Sequence, residues 1–157
     1  MKKLSLSIII CIFFALPTFA QSDTDLMDKD IYTVVEKMPV YPGCETYESD
    51  KKRNDCTNDK MIQFILEHTK YPKEAKDNNV KGTVYMRFIV DESGDIGNIE
   101  VVRGVTGGYG NLLDEEGKRV VAQLPRMQAG EQRDEKVKVQ YTMPIRFNLP
   151  ASKEGEK

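Results

Sequence analysis

Apolar and polar residues alternate most regularly near the end of the chain, in residues 137–149. The apolar positions are Val137, Val139, Tyr141, Met143, Ile145, Phe147 and Leu149. Five polar residues and Pro144 occupy the positions between them. A period of two over this length predicts a long strand with one buried face and one wet face. Because proline cannot donate a backbone hydrogen bond, Pro144 indicates that the strand lies at a sheet edge or contains a bulge.

Two further strands are predicted from residues 82–91 and 96–103. The first of them alternates in the same way, and one of its faces consists of Val84, Met86, Phe88 and Val90. Residues 91–95 read Asp-Glu-Ser-Gly-Asp, which predicts a tight turn and therefore a hairpin. Residues 31–35 form a shorter, mostly apolar run that could add one more strand at the N-terminal end.

Helical patterns occur in three places. We expect Asp59 to cap a first helix, whose apolar residues are Met61, Ile62, Phe64, Ile65 and Leu66. Pro72 suits the first turn of a second, short helix over residues 73–78. A third helix ends before Pro125 and has one apolar face, formed by Leu113, Val120, Val121 and Leu124. Residues 129–132 are expected to turn the chain into the final strand.

The order helix, strand, strand, helix, strand predicts an α+β fold. We expect a small antiparallel sheet of about three strands, with a possible extra N-terminal strand, and two or more helices packed on one face. The odd-numbered face of the final strand is expected to meet Leu113, Val120 and Val121, and the opposite face of the sheet is expected to be partly wet.

The first twenty residues have the features of a secretory signal peptide. Lys2 and Lys3 make the start basic, residues 4–16 are mostly apolar, and Thr18-Phe19-Ala20 precedes Gln21 as a cleavage site would. The apolar run is short for a membrane span, which favours a cleaved leader. The alternative is an uncleaved inner-membrane anchor. We therefore expect an exported, periplasmic protein. Its predicted parts are a signal peptide (1–20), an extension with a disulfide loop (21–58), one domain (59–150) and a disordered tail (151–157).

Two cysteines, Cys44 and Cys56, lie outside the predicted leader. In an exported chain such a pair predicts a disulfide. The residues between them are nearly all polar, and a crosslink would restrain them. The alternative is a metal site that includes His68, but the spacing of these three residues is poor for metal ligands.

The charge pattern and the motifs exclude several classes of protein. Removal of residues 1–20 takes away two lysines and leaves 21 basic against 25 acidic residues, a net charge of −4. No basic block stands out, which argues against nucleic acid or anionic lipid as a partner. The chain has no HExxH, GxSxG or Walker motif and a single histidine, His68. We therefore predict that it is not an enzyme and needs no cofactor or metal.

An ordered series of residues runs through the second half of the chain. It comprises Tyr71-Pro72, Ala75, Val80-Lys81-Gly82-Thr83-Val84, Phe88-Ile89-Val90-Asp91, Gly94, Ile99, Val101, Arg103-Gly104, Leu113-Asp114-Glu115-Glu116, Val120-Val121, Pro125, Gly130, Tyr141 and Pro144-Ile145-Arg146-Phe147. This series resembles the TonB C-terminal domain family. Upstream, Tyr41-Pro42-Gly43-Cys44-Glu45 resembles the form found in Bacteroidetes-type energy transducers.

The resemblance implies a periplasmic domain that binds the TonB box of outer-membrane TonB-dependent receptors and supports transmembrane transport. The receptor segment would add as a strand beside the last strand of the domain. The resemblance also implies an ExbB/ExbD-type complex as a partner if the leader is retained as a membrane anchor.

The expected docking edge is the side of the final strand to which the even-numbered residues direct their backbone groups. Successive residues of an antiparallel ladder direct these groups to opposite sides, and Pro144 belongs to the even-numbered set. The predicted partner-binding residues are therefore Lys138, Gln140, Thr142, Pro144 and Arg146, together with Tyr71 and Pro72 from the family-like series.

A second hypothesis uses the same edge without energy coupling. Only Pro39 and Pro42 lie between the leader and the expected domain, so this stretch lacks a proline-rich spacer like that of the family's energy transducers. The alternative is a soluble adaptor, or an envelope protein that pairs with a second copy of itself as a homodimer.

Overall fold

The computed structural model describes residues 31–149. Five strands and three helices lie within this range. In chain order they are β1 (Ile31–Tyr32), α1 (Asp50–His68), α2 (Lys73–Asp77), β2 (Gly82–Val90), β3 (Ile96–Arg103), α3 (Gly110–Val121), β4 (Gly130–Gln132) and β5 (Glu135–Phe147). The predicted signal peptide and tail lie outside the described residues. No helix in the described part of the chain is both long and apolar enough to span a membrane.

The longest strand, β5, is the centre of the sheet. It pairs antiparallel with β2 through nine consecutive residue pairs, from Gly82 opposite Phe147 to Val90 opposite Val139. The strands follow the order β1-β5-β2-β3, and β4 also pairs with β5. The predicted α+β fold is therefore confirmed, and the predicted extra N-terminal strand is β1, which runs parallel to β5.

A short strand, β4, stands where the sequence predicted only a turn. Its three residues pair antiparallel with the first three residues of β5. The two residues between these strands, Arg133 and Asp134, have φ angles of 53° and 60°. Positive φ at both central residues is typical of a type I′ hairpin turn, which usually carries Asn-Gly. Because of this hairpin, β5 begins two residues earlier than predicted; it also ends two residues earlier, at Phe147.

Helix α1 begins nine residues before its predicted cap, Asp59, so that prediction was wrong. The side chain of Ser49 caps the helix instead and accepts a hydrogen bond from the backbone N–H of Lys52 at 3.2 Å. Lys51 and Asp55, four residues apart, form an ion pair of 2.7 Å on the same stretch. Capping and local ion pairs start this helix, whereas its apolar periodicity begins only at Met61.

The core lies between the helices and the odd-numbered face of β5. Met143, Ile145 and Phe147 pack in one cluster with Leu113, Val120 and Val121, which confirms that predicted contact. The same cluster receives Met61 and Ile65 from α1 and four alternating residues of β2. At the other end of β5, Val137 and Val139 pack with Val35 in a second cluster. All three helices thus contribute to one face of the sheet.

The predicted disulfide joins Cys44 to Cys56, whose Cα atoms are 5.8 Å apart. Cys44 is fully buried, and Cys56 lies within the second turn of α1. The bond therefore ties the loop before the helix to the polar part of α1. Next to it, the buried hydroxyl of Thr57 accepts a hydrogen bond from the backbone N–H of Tyr41 at 3.0 Å.

Candidate functional site

One edge of β5 is largely without a neighbouring strand. On the side away from β2, β1 pairs only with Lys138 and Val139. β4 pairs only with residues 135–137. Among the described residues, 140–147 therefore pair with β2 alone. We call residues 140–147 the open edge; at about 3.3 Å per residue it could accept a strand of ordinary length.

The other outer strand of the sheet, β3, is less suited to accept a partner. Its pairing with β2 shifts register between Tyr85 and Met86 and again between Arg87 and Ile89. Asn98 in β3 also has a φ of 47°. Such irregularities twist an edge and discourage strand pairing. The ladder between β2 and β5 has no such shift, so the open edge of β5 is the regular one.

A groove of about 190 Å³ lies beside the end of the open edge. One wall is α1, through Ile62, Ile65 and Leu66. The floor consists of residues 143–147 of β5 and of Asn148, the residue after the strand. Ile62 is 49% exposed and Leu66 69% exposed, although both are large apolar residues. The groove therefore places exposed apolar surface directly beside unpaired backbone.

Tyr71 also lines this groove. Its hydroxyl donates a hydrogen bond to the carbonyl of Val80, and its ring meets Phe147 edge to face at a centroid distance of 5.8 Å. Burial raises the pKa of the Tyr71 phenol, so the hydroxyl stays protonated as a donor. Pro72 precedes α2 instead, where its carbonyl accepts a hydrogen bond from Lys76 at 2.9 Å, and it does not line the groove.

A hydrogen-bond network holds the segment that carries Tyr71. The carboxylate of Glu116 accepts a hydrogen bond from the backbone N–H of Lys70 at 2.6 Å and two from the Arg119 guanidinium at 2.6 and 2.7 Å. Arg119 also donates to the carbonyl of His68 at 2.7 Å. Burial alone would raise the pKa of Glu116, but these hydrogen bonds and the neighbouring cations lower it below its ordinary value.

We expect Glu116→Gln to lower the free energy of unfolding by about 1–2 kcal/mol at pH 7, because charge-assisted hydrogen bonds to Lys70 and Arg119 are weakened. A lowered carboxyl pKa stabilises the fold above the ordinary pKa, and this stabilisation is lost as the pH falls through the folded-state value. The gap between wild type and variant should therefore shrink on acidification below about pH 4.5. Urea unfolding across this pH range measures it.

The matched control for this prediction is Glu115→Gln. Glu115 is exposed and pairs with Lys118 at 2.9 Å, the kind of surface pair that contributes little. Its replacement should leave the free energy of unfolding nearly unchanged at pH 7. Equal losses in the two variants would show that the Glu116 network does not stabilise the fold as described.

The wet face of β5 is basic in an otherwise acidic chain. Its even-numbered residues include Lys136, Lys138 and Arg146 but no carboxylate. On neighbouring strands of the same face, Arg87 is paired with Glu100, and the guanidinium of Arg103 lies 6.0 Å from the ring centre of Tyr85. Glu131 of β4 lies opposite Lys136, so this face of the sheet as a whole carries charges of both signs.

The structure brings together only part of the predicted partner-binding set. Pro144, Arg146 and Tyr71 line the groove, and Thr142 lies on the open edge just before it. Gln140 is at the far end of the open edge, and Lys138 lies beside Ile31 of β1.

Sequence reasoning missed Ile62 and Leu66 as site residues. The apolar stretch 61–66 is wider than one buried stripe: Met61 and Ile65 fill the core, and Ile62 and Leu66 form a second stripe with the same spacing. That excess width was the signal available in the sequence.

The described residues offer no obvious metal centre. Within 31–149, no group of three or more His, Cys, Asp or Glu side chains is arranged to hold an ion. His68 ends α1, where its ring stacks on Phe64 at a centroid distance of 3.9 Å and Nδ1 lies 2.8 Å from the Phe64 carbonyl oxygen. These contacts account for His68 as a residue of the helix end.

Comparison with known proteins adds two kinds of similarity. The model of the family described as Gram-negative bacterial TonB protein C-terminal matches residues 67–149, more than half of the chain. Among solved structures, the solution structure of the Helicobacter pylori TonB C-terminal domain, residues 179–285, is similar with a TM-score of 0.48 and 20% identity, over 71% of this chain and 89% of that one. A second solution structure of the same domain, residues 194–285, has a TM-score of 0.40 and 25% identity, over 59% and 92%. No curated protein sequence matches the chain.

Proposed function

The chain belongs to the family of Gram-negative bacterial TonB protein C-terminal domains, and on this basis we propose that it acts in the periplasm by binding outer-membrane TonB-dependent receptors. In this proposal an extended receptor segment adds as a strand to the open edge of β5 and so supports transport across the outer membrane. No catalytic step, cofactor or metal is part of the proposal.

The observation that carries the proposal is the length and regularity of the open edge. Eight consecutive residues, 140–147, pair on one side only within the described part of the chain. Unpaired backbone N–H and C=O groups along a flat strand are a template for another strand. The irregular β3 edge makes the β5 edge the favoured one of the two.

Pro144 indicates which residues of the open edge direct their backbone N–H and C=O groups away from β2. It lies opposite Tyr85 in an unbroken ladder with β2. If its backbone groups pointed toward β2, the missing N–H would cost a ladder hydrogen bond, so we infer that they point away from β2. Direction alternates from one residue to the next, and Thr142 and Arg146 therefore share the direction of Pro144. Their backbone groups would point away from β2 as well, toward an incoming strand.

The space along the open edge favours a different chain over a second copy as the partner. An antiparallel pairing of two copies about a two-fold axis at Thr142 would place Arg146 of each copy opposite Lys138 of the other, where β1 already pairs with β5. A symmetric dimer about this axis could therefore use only residues 140–144 of each copy, whereas a strand of a different chain could use all of 140–147. A homodimer through this edge is therefore the second candidate.

Thr142→Pro tests the proposed edge. The variant should stay folded, because the N–H it removes points away from β2, but its affinity for a purified TonB-dependent receptor should fall at least tenfold. Biolayer interferometry on detergent-solubilised receptor gives the affinity, and circular dichroism checks the fold. Thr142→Val is the matched control: it keeps the backbone N–H and should bind within about twofold of wild type. Unchanged receptor binding by a folded Thr142→Pro protein would refute strand addition at this edge.

Two further measurements separate the remaining alternatives. Size-exclusion chromatography with light scattering measures the molar mass of the protein in solution. A molar mass that rises with protein concentration, together with an absence of receptor binding, would support the hypothesis of an adaptor or homodimer. The mass of the exported protein shows whether residues 1–20 are cleaved or retained. A mass that corresponds to a chain beginning at Gln21 means that they are removed, whereas a full-length mass supports coupling to an ExbB/ExbD-type complex.

A further inference from the structure

We infer that helix α1 determines which strand docks at the open edge; this inference rests on the proposed function. Ile62 and Leu66, the exposed apolar wall of the groove, would contact the side chains on one face of the docked strand and require them to be apolar. These two residues would then determine specificity, whereas the open edge alone would accept any extended backbone.

The position of α1 beside the open edge is the first step. Ile62 and Leu66 line the same groove as residues 143–148. Neighbouring strands lie about 4.8 Å apart, so a strand added to β5 enters this groove. Every second side chain of that strand would face the helix, and the others would face the wet side of the sheet with Arg146.

The second step is the exposure of these two residues. Met61 and Ile65 already fill the core, so Ile62 and Leu66 add nothing to it and stay 49% and 69% exposed. Apolar side chains placed against them would remove this surface from water, whereas polar side chains would lose hydration without gaining a partner. The groove therefore favours apolar over polar side chains at alternate positions.

The third step concerns the occupant. Beyond Leu149, residues 150–157 read Pro-Ala-Ser-Lys-Glu-Gly-Glu-Lys and carry no large apolar side chain for the groove. A second copy related by a two-fold axis at Thr142 could pair along only part of the open edge, as described above. A receptor segment with alternating apolar residues satisfies both the edge and the wall.

The test combines three variants with one purified receptor. Leu66→Ser should weaken receptor binding at least tenfold, and Ile62→Ser combined with Leu66→Ser should weaken it further. Val102→Ser is the matched control, since Val102 is 53% exposed but lies on β3. It should bind within about twofold of wild type. Because Leu66 is mostly exposed, all three variants should unfold at nearly the wild-type temperature.

Two synthetic nine-residue peptides of identical composition identify what the wall recognises. In one, valine alternates with threonine and glutamate; in the other, the valines are contiguous. Wild type should bind the alternating peptide at least tenfold more tightly, with NMR shifts at the amides of Gln140 and Thr142. Leu66→Ser should lose most of this preference, whereas the control Val102→Ser, on β3, should keep it.

The outcomes distinguish the inference from the proposed function. If the wild-type protein binds the receptor but Leu66→Ser binds equally well, or both peptides bind equally, the α1 wall is not selective and strand addition stands. If the wild-type protein binds neither receptor nor peptide, both proposals fail. A concentration-dependent dimer that Leu66→Ser dissolves would instead assign the groove to a second copy and overturn the inference.

Discussion

Replacing Gly94 by alanine is expected to lower the free energy of unfolding by about 3 kcal/mol. Gly94 has a φ of +86°, where a side chain is strained by about 1–2 kcal/mol. An added Cβ would also lie 1.8 Å from the carbonyl oxygen of Met127, a backbone atom that cannot move alone. Relieving such an overlap typically costs 1–3 kcal/mol more. Equilibrium unfolding in urea measures the loss.

The close contact exists because Gly94 joins two distant parts of the chain. It turns the β2–β3 hairpin, where its N–H donates to the carbonyl of Asp91 at 2.9 Å. Its own carbonyl accepts a hydrogen bond from the N–H of Met127, also at 2.9 Å. Met127 is buried and precedes β4 and β5. The variant should therefore disturb the approach to the long strand as well as the hairpin.

Gly97→Ala is the matched control, three residues further along. Gly97 has no heavy atom within 4 Å of an added Cβ, and its φ is not in the strained range. Alanine there restricts the unfolded chain without clashing, so stability should stay within about 1 kcal/mol of wild type. Similar losses at both positions would mean that the Gly94–Met127 contact does not set the cost.

The strands were predictable because their signal is local. The alternation in β5 and β2 places each residue on one face, and the exposed and buried residues of β5 follow it from Val137 to Phe147. The turn at residues 91–95 was predictable for the same reason, because the Asp91 side chain forms it locally. Its carboxylate accepts hydrogen bonds from the backbone N–H groups of Ser93 and Asp95 at 2.8 and 3.0 Å.

The errors occur where structure depends on contacts between distant residues or on weak local signals. The Arg133-Asp134 turn lacks glycine and asparagine, so the β4–β5 hairpin was not recognisable from turn chemistry. The early start of α1 rests on Ser49 and polar residues, which carry no apolar period. Pairing of β1 with Lys138 joins residues more than a hundred positions apart, and no local pattern indicates it.

Only part of the candidate site was predictable from the sequence, because local signals can be recognised there and contacts between distant residues cannot. Pro144 marked the open edge, because its lack of an N–H is a property of one residue. The apolar wall was not predicted, since it depends on where α1 lies relative to β5. Only the unusual width of the apolar stretch 61–66 hinted that the helix has two apolar contacts to make, one with the core and one outside it.

Loss of the Cys44–Cys56 disulfide is expected to lower the free energy of unfolding by about 3 kcal/mol. The two residues are 12 positions apart, and crosslinking a loop of this size restricts the unfolded chain by roughly that amount. The Cys44→Ala, Cys56→Ala double variant should therefore unfold at a lower urea concentration than oxidised wild type. Wild type in a strong reductant should show a similar loss, and the double variant should not respond to reductant.

The disulfide should act on the polar part of α1 more than on its apolar part. Residues 50–56 are mostly exposed, whereas Met61 and Ile65 anchor the second half of the helix in the core. We expect faster amide hydrogen exchange in the first two turns of α1 in the double variant, with little change at Ile65. Because the wall residues Ile62 and Leu66 lie in the anchored half, receptor binding at a temperature where the variant is folded should stay within about threefold of wild type. Equal unfolding midpoints for the double variant and the oxidised protein would contradict a stabilising role for the crosslink, and a loss of binding without a loss of stability would place it in the docking site instead.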